Sequence, residues 1–184
     1  MAQREYPKGN FVWIDLEMTG LNVETDHILE IATIITDDQL NELDEGPSIV
    51  IHQPDSILMN MNSWCLEQHG KTGLINACQD STYSVEEAER ETLNFIQMYC
   101  PRNTAILAGS SIWQDRIFLS KYMPSIVEYL FYKQIDVSSV KELINRWYPG
   151  DTNANTPKKE AHRALDDIRE SIELLRQLRT HFFV

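Results

Sequence analysis

The sequence predicts an α/β fold, a mixed five-stranded sheet flanked by helices, from three observations. Three β-rich segments follow one another with short turns between them, which is typical of an antiparallel meander. After residue 84 the apolar residues change to helical spacing, and two further short apolar segments alternate with helices. The chain has 184 residues and neither an internal repeat nor a clear linker, so we expect a single domain over 1–184.

The first three predicted strands are apolar segments bounded by turn residues. They cover 11–16, 27–36 and 47–52. Gly20 and Asn22 lie between the first two, and Asp37, Asp38 and Asn41 lie between the second and the third. Short links of this kind favour antiparallel neighbours.

The rest of the chain alternates between helices and short strands. Ser84, followed three residues later by Glu87, predicts a capped helix that ends before Pro101. Further helices are predicted at 114–122, from a cap at Ser138 or Ser139 to residue 147, and at 164–182. Short strands are predicted at 105–108 and 135–137, and a loop at 148–160.

The charge and composition limit the classes of partner. The formal net charge is −12, from 28 acidic and 16 basic residues, and no Lys/Arg cluster of useful length exists. A protein that tracks long nucleic acid usually carries a basic stripe, so a nucleic-acid substrate would be short or held by metal ions. No apolar run reaches the ~18 residues of a membrane span.

The three scattered cysteines fit a reducing compartment. The first residues have neither a secretory nor a transit pattern. We therefore expect a cytoplasmic protein, or a mitochondrial one if a leader has been removed.

Two acids, Asp15 and Glu17, interrupt the first predicted strand in the stretch WIDLEMTGL. Residues two apart on a strand project from the same face, about 6.6–6.8 Å apart. One explanation is an edge strand with one face in water. The other is a divalent-metal site, in which each carboxylate could reach a different ion of a pair ~3.5–4 Å apart.

Further candidates for such a site lie far along the chain. Asp115 could equally be a first-turn acid stabilised by the helix dipole, and Asp136 a buried partner of a Lys or Arg. Spacing does not decide between Asp166 and Asp167, since each lies one residue from an apolar position of the last helix. His162 could be an ordinary histidine before that helix, or could face the same cleft.

Five ordered motifs make the chain resemble the DEDDh 3′→5′ exonucleases. They are WIDLEMTGL, the run from Ser63 to His69, GSSIWQDRIFLSKYMP at 109–124, DVS at 136–138 and HRALDDIRES at 162–171. The resemblance covers nearly the whole chain and implies an RNase H-like fold. It also implies hydrolysis with two Mg²⁺ or Mn²⁺ ions per active site.

The resemblance implies a role for particular residues. The metal ligands would be Asp15, Glu17, Asp115 and Asp167. The general base would be His162. The residues that contact the substrate would be Leu21 and Trp64 at the bases, Ser111 and Gln114 near the cleavage site, His69 and Ser138 at the 5′ phosphate, and Tyr132 and Lys133 from a partner subunit.

The implied activity is 3′→5′ exonucleolytic degradation of very short single-stranded RNA, especially dinucleotides, to 5′-mononucleotides by a homodimer. Lys133 stands where the family commonly has Arg and lacks the two-pronged geometry of a guanidinium. Ser110 replaces a common Asn, and the bulky Trp113 and Ile117 are unusual in that motif. The alternatives are a DEDDh exonuclease for DNA or longer RNA, and an RNase H-like binding module without catalysis.

Overall fold

The computed structural model describes residues 9–151 and 163–183. Its sheet consists of β1 (Phe11–Met18), β2 (Ile28–Thr36), β3 (Glu42–Val50), β4 (Ile106–Gly109) and β5 (Phe131–Asp136). The strands lie in the order β3-β2-β1-β4-β5. β1 pairs antiparallel with β2, and β2 with β3, whereas β4 is parallel to both β1 and β5. The predicted mixed sheet with its meander first is therefore confirmed.

Helices occupy most of the remaining described chain. They are α1 (Asp55–Leu58), α2 (Ser63–Lys71), α3 (Leu74–Asp80), α4 (Val85–Tyr99), α5 (Ile112–Tyr122), α6 (Pro124–Tyr129), α7 (Val137–Trp147) and α8 (Ala164–Phe182). The predicted capping box at the start of α4 is present, because Ser84 and Glu87 exchange side-chain to backbone hydrogen bonds. Among the helices of these described ranges, none combines the length and apolar character needed to cross a bilayer.

Several predicted boundaries were wrong. The strand predicted at 135–137 is Phe131–Asp136, and Val137 already belongs to α7. α7 is capped by Asp136, whose carboxylate accepts a 2.9 Å hydrogen bond from the Ser138 amide, because β5 runs directly into the helix. The cap is thus neither Ser138 nor Ser139. The third strand begins at Glu42 rather than residue 47, since its polar first residues lie exposed on an edge strand, where charged side chains are well tolerated.

Both faces of β1 are covered. Val12, Ile14 and Leu16 are buried against a cluster that includes α4, α5 and α6. Trp13 is buried in a second cluster with α8, and its indole Nε1 donates a 3.0 Å hydrogen bond to Thr36. β1 is therefore a central strand, and the interpretation of Asp15 as part of a wet edge strand was wrong.

The alternation of side chains along β1 determines where its acids point. Asp15 and Glu17 share the face of Trp13, which is the face that α8 covers. The start of α8 therefore meets the end of β1 on this side of the sheet.

Candidate active site

Three carboxylates from two distant segments meet on the α8 face of the sheet. Asp15 and Glu17 of β1 and Asp167 of α8 each offer an oxygen, and these oxygens lie within 4.8 Å of one another. We call these three residues the carboxylate group. All are half-buried, so the charges are partly removed from water but remain accessible from a cleft.

The first turn of α8 determines which of its two acids joins the group. The amides of Asp166 and Asp167 both donate to the carbonyl of Arg163, at 2.9 and 3.1 Å. Asp166 is exposed and forms an ion pair with Arg169 at 3.4 Å, whereas Asp167 turns toward β1. Successive helix positions differ by about 100° around the axis, so only one of two adjacent acids can face the sheet.

Asp115 lies next to the carboxylate group on the first turn of α5. It is 5 % exposed, and its Oδ1 accepts a 3.0 Å hydrogen bond from the Leu16 amide. Its oxygens lie outside the 4.8 Å set, yet its charge contributes to raising the pKa of Asp15. It is therefore a neighbour of the group and tied to the same strand.

Burial and mutual repulsion shift the protonation of these acids. Burial and then the charges of Asp115 and Asp167 raise the pKa of Asp15 well above its ordinary value. Burial, Asp167 and Glu30 raise the pKa of Glu17 to about 8. Burial raises the pKa of Asp115 to about 7, although the Leu16 amide opposes the shift. Without a cation, some of these groups hold protons near neutral pH.

The donor set fits a hard divalent cation. The carboxylate group contains only oxygen ligands and no Cys or His; carboxylates suit Mg²⁺ and Mn²⁺, whereas zinc sites favour Cys and His. A cation here would remove the repulsion that raises the pKa values. Asp15, Glu17 and Asp167 could hold such an ion directly, with Asp115 adjacent.

The predicted general base, His162, lies outside the described residues. Arg163, which follows it, is half-buried and binds Glu30 of β2 with Nε and Nη2, at 3.0 and 2.7 Å. Neither Glu30 nor Arg163 was singled out from the sequence. The available signal was an acid within the apolar run ILEIATIIT, which is the same kind of signal as the acids of β1.

Four of the predicted substrate contacts are Leu21, Trp64, His69 and Gln114. Leu21 and Trp64 are 71 % and 59 % exposed, as surfaces that stack on bases need to be. The Gln114 amide donates a 2.9 Å hydrogen bond to the Leu21 carbonyl. His69 is buried; its Nε2 donates to the Met18 carbonyl at 3.0 Å, and its Nδ1 lies 3.8 Å from a Glu17 oxygen.

A polar cleft borders the carboxylate group at Asp15 and Asp167. It has a volume of about 170 Å³ and is lined by Asp15, Ser110, Ser111, Ser138, Lys141, Asp167, Glu170, Ser171 and Leu174. The hydroxyls of Ser111 and Ser138 are 3.1 Å apart. Both predicted serines therefore face the space beside the carboxylates, together with Lys141, which sequence reasoning did not identify.

Asp136 binds two backbone amides with one carboxylate oxygen. Its Oδ1 accepts hydrogen bonds from the amides of Ser111 and Ser138, at 3.0 and 2.9 Å. It thus joins the starts of α5 and α7, and within residues 9–151 and 163–183 it forms no ion pair with a Lys or Arg. Ser111 has a φ of +54°, so this contact also supports a backbone conformation that is uncommon for a residue other than glycine.

The remaining residues named from the sequence differ in their relation to the cleft, which Ser110 lines. Tyr132 is 67 % exposed on β5, with the Lys133 ammonium 5.8 Å from its ring centre. Neither lines the cleft described above. Ser110, which departs from the family pattern, shares a 2.8 Å hydroxyl–hydroxyl hydrogen bond with Ser171. Trp113 and Ile117 are 53 % and 41 % exposed.

Comparison with known proteins places this arrangement among exonucleases. The model of the RNase T family, described as exonuclease, matches residues 12–175. The chain is 48 % identical to human mitochondrial oligoribonuclease over 183 residues, which is 100 % of this chain and 77 % of that protein. It is 51 % identical to the oligoribonuclease of Pseudoalteromonas atlantica over 174 residues, 95 % of this chain and 96 % of that one.

Solved structures confirm the fold. Exonuclease I from Methylocaldum szegediense superposes with a TM-score of 0.71 at 20 % identity, over 94 % of this chain and 41 % of that one. A zinc-bound E. coli exonuclease I–ssDNA complex gives a TM-score of 0.73 at 16 % identity, over 95 % and 41 %. The chain thus spans about two fifths of the length of these exonuclease I chains. The predicted RNase H-like fold is confirmed.

Proposed function

Because the chain belongs to the oligoribonuclease family of RNase T-type exonucleases, we propose that it removes nucleotides from the 3′ end of very short RNA. The preferred substrates are dinucleotides, and the products are 5′-mononucleotides. The observation that carries the proposal is the carboxylate group of Asp15, Glu17 and Asp167, with Asp115 beside it. This cluster opens into a cleft lined by hydroxyls.

The proposed chemistry is hydrolysis of a phosphodiester. A water oxygen bonds to phosphorus, the bond from phosphorus to the 3′ oxygen breaks, and that oxygen takes a proton. Two Mg²⁺ or Mn²⁺ ions, when bound, would supply charge stabilisation at the phosphate and favour ionisation of water. Asp15, Glu17, Asp115 and Asp167 would provide the oxygen ligands for them.

His162 is proposed as the group that takes the proton from the attacking water. A neutral imidazole accepts a proton readily near neutral pH, and such a base typically contributes 10²–10⁴-fold in rate. The position of Arg163, bound to Glu30 beside Glu17, supports this assignment. Arg163 directly follows His162 in the sequence, and its guanidinium is bound to the residue opposite Glu17.

The short substrate is supported by the exposed apolar side chains and by the charge. Stacking of a base on an aromatic side chain contributes roughly 1–3 kcal/mol and needs no long basic track. Trp64 offers such a surface, and the exposed Leu21 offers an apolar one against which a base can pack. The net charge of −12 disfavours long polyanions. Ser111 and Gln114 are proposed to contact the substrate near the bond that is cut. His69 and Ser138 are proposed to contact the 5′ phosphate, which would exclude longer strands.

A homodimer is part of the proposal. Tyr132 and Lys133 are exposed or half-buried on β5 and would complete the 5′ phosphate contact of a partner subunit. The chain is proposed to act in the cytoplasm, as expected from its sequence, with the mitochondrial relative marking the alternative compartment. Light scattering after size exclusion tests the dimer; a monomer at micromolar concentration contradicts it.

The decisive experiment is a product ladder. RNAs of two to ten nucleotides with a 5′ phosphate are incubated with the protein and either Mg²⁺ or Mn²⁺, with EDTA as the control. We expect the dinucleotide to be cut much faster than the ten-mer, and no cleavage after chelation. Equal rates at all lengths would favour a general exonuclease. Faster cleavage of a matching single-stranded DNA ladder would reveal a DNA enzyme. No cleavage of any substrate would indicate a binding module.

A further inference from the structure

Glu30 is the most deeply buried acid near the site, and it is fully engaged. It is 1 % exposed. Arg163 donates to both of its oxygens, the Ser48 hydroxyl donates to Oε1 at 3.2 Å, and the Ala164 amide lies 3.5 Å from Oε2. Two parallel N–H donors on one carboxylate fix the relative orientation of the two side chains.

Arg163 is tied to Asp167 as well as to Glu30. It is the N-cap residue of α8, and its carbonyl accepts the amides of Asp166 and Asp167. The side chain of Arg163 thus binds β2, while its carbonyl binds the backbone amide of Asp167. A shift of the guanidinium would move the first turn of α8 relative to the sheet.

Glu30 also lies beside the half of the carboxylate group that β1 carries. It stands directly opposite Glu17 in the antiparallel register of β1 and β2. Directly opposed residues have Cβ atoms about 4.5–5.5 Å apart. The Glu30–Arg163 pair therefore joins the strand beside Glu17 to the helix turn that carries Asp167.

Fold stability is a weak reason for an ion pair in this position. Removing two charges from water costs free energy that their attraction often fails to recover, and apolar residues of similar size frequently stabilise a core as well or better. The neighbouring positions of β2 are apolar and fully buried. An ion pair fixes the direction of the groups attached to it, whereas an apolar contact does not.

We infer that Glu30 and Arg163 form a positioning pair, which holds Asp167 at the separation from Asp15 and Glu17 that binding of divalent cations requires. The inference rests on the proposed function, since it assigns this role toward the cations of that site. The pair itself contacts neither the cations nor the RNA.

Manganese titration tests this role independently of activity. The dissociation constant for Mn²⁺ is measured by calorimetry for the wild-type chain, Glu30→Gln and Arg163→Lys, at a temperature where circular dichroism shows each variant folded. Both variants keep the size of the side chain but lose the two-pronged ionic contact. We expect each to bind Mn²⁺ about 10–100-fold more weakly, the range found for groups that orient metal ligands, and to regain turnover as Mn²⁺ is raised.

Arg169→Met is the matched control. Arg169 also lies on α8 and pairs with the β2–β3 hairpin through Glu45, but that contact is exposed. We expect its Mn²⁺ affinity to equal that of the wild type. If Glu30→Gln does not fold, Arg163→Lys decides the question by the same measurement.

The outcomes separate the two proposals. Wild-type affinity in the folded Glu30 and Arg163 variants, even with a lower melting temperature, would overturn the positioning role and leave a structural one. Equal weakening in Arg169→Met would also overturn it. A wild-type chain that binds no Mn²⁺ at millimolar concentration would instead contradict the proposed function.

Discussion

The backbone amide of Leu16 donates a 3.0 Å hydrogen bond to Oδ1 of Asp115. The strand that carries Asp15 and Glu17 on one face thus also anchors an acid from α5 through its main chain. This contact separates the structural role of Asp115 from its proposed role as a cation ligand, since the hydrogen bond needs an oxygen and cation binding needs a charge.

Two substitutions at Asp115 should therefore behave differently. Asp115→Asn can keep an oxygen for the Leu16 amide, so we expect a melting temperature close to that of the wild type. Asp115→Ala leaves the buried amide without its acceptor and should cost about 1–3 kcal/mol in the free energy of unfolding. Both variants should lose about 10²-fold or more in kcat/KM. Urea unfolding and dinucleotide hydrolysis measure the two effects; an active Asp115→Asn variant would exclude a role for its charge.

The stability of the metal-free protein should fall as the pH rises. Glu17 has a pKa of about 8 in the folded chain against 4.5 ordinarily. Between these values the folded state holds a proton that the unfolded state has released, so stability decreases with rising pH. In EDTA, Glu17→Gln should therefore gain about 5 °C in melting temperature relative to the wild type at pH 8, and little at pH 4. Parallel melting curves at all pH values would contradict the raised pKa.

Manganese binding should release protons near neutral pH. Asp15, Glu17 and Asp115 all have raised pKa values, and carboxylates bind a cation in their ionised form. We expect tighter Mn²⁺ binding at pH 8 than at pH 6. Calorimetry in buffers of different ionisation enthalpy should give at least about one proton released per site at pH 7. Binding without release would show that the acids are already ionised.

Trp64→Ala should weaken the use of dinucleotides without unfolding the protein. The side chain is 59 % exposed, so its removal costs little packing. Loss of one stacked base corresponds to about 1–3 kcal/mol, or roughly 5–150-fold in kcat/KM. Trp147→Ala is the matched control, since Trp147 is 67 % exposed at the end of α7. Equal losses in both variants would argue against stacking at Trp64.

His162→Ala should separate binding from chemistry. We expect normal Mn²⁺ and dinucleotide affinity, with single-turnover hydrolysis slower by about 10²–10⁴-fold. His181→Ala serves as the control, because His181 is exposed on the last turn of α8, where Nδ1 donates to the Gln177 carbonyl and the ring lies near that of Phe182. Near-normal turnover in His162→Ala would remove this histidine from the mechanism.

The sequence predicts the central elements well because their patterns are strong. The strand around Asp15 has apolar neighbours at a period of two, and α8 has an apolar stripe over five turns. The helices α1, α2 and α3 were not predicted. They are short, and they exist because Leu58, Leu74 and Cys78 pack against Leu29 of β2, a tertiary contact that local spacing does not reveal.

The sequence indicated which residue types form the site better than it indicated how they are arranged in space. Acids in an apolar strand mark Asp15 and Glu17, but Asp166 and Asp167 differ only in the rotation of α8 about its axis, which packing determines. Glu30 escaped notice because its partner, Arg163, lies 133 residues away. An acid in a buried strand signals a partner without showing whether that partner is a cation, an arginine or an amide.

The central position of β1 has a kinetic consequence for the site. Amide hydrogens in the middle of a sheet exchange with solvent only when the whole domain opens, whereas those of edge strands escape through local fraying. Residues 12–16 should therefore be among the slowest to take up deuterium, and a bound cation should slow them further by stabilising the whole fold. Asp15 and Glu17 lie on this central strand, so we expect their mutual spacing to survive the local fluctuations that open the edge strand β3.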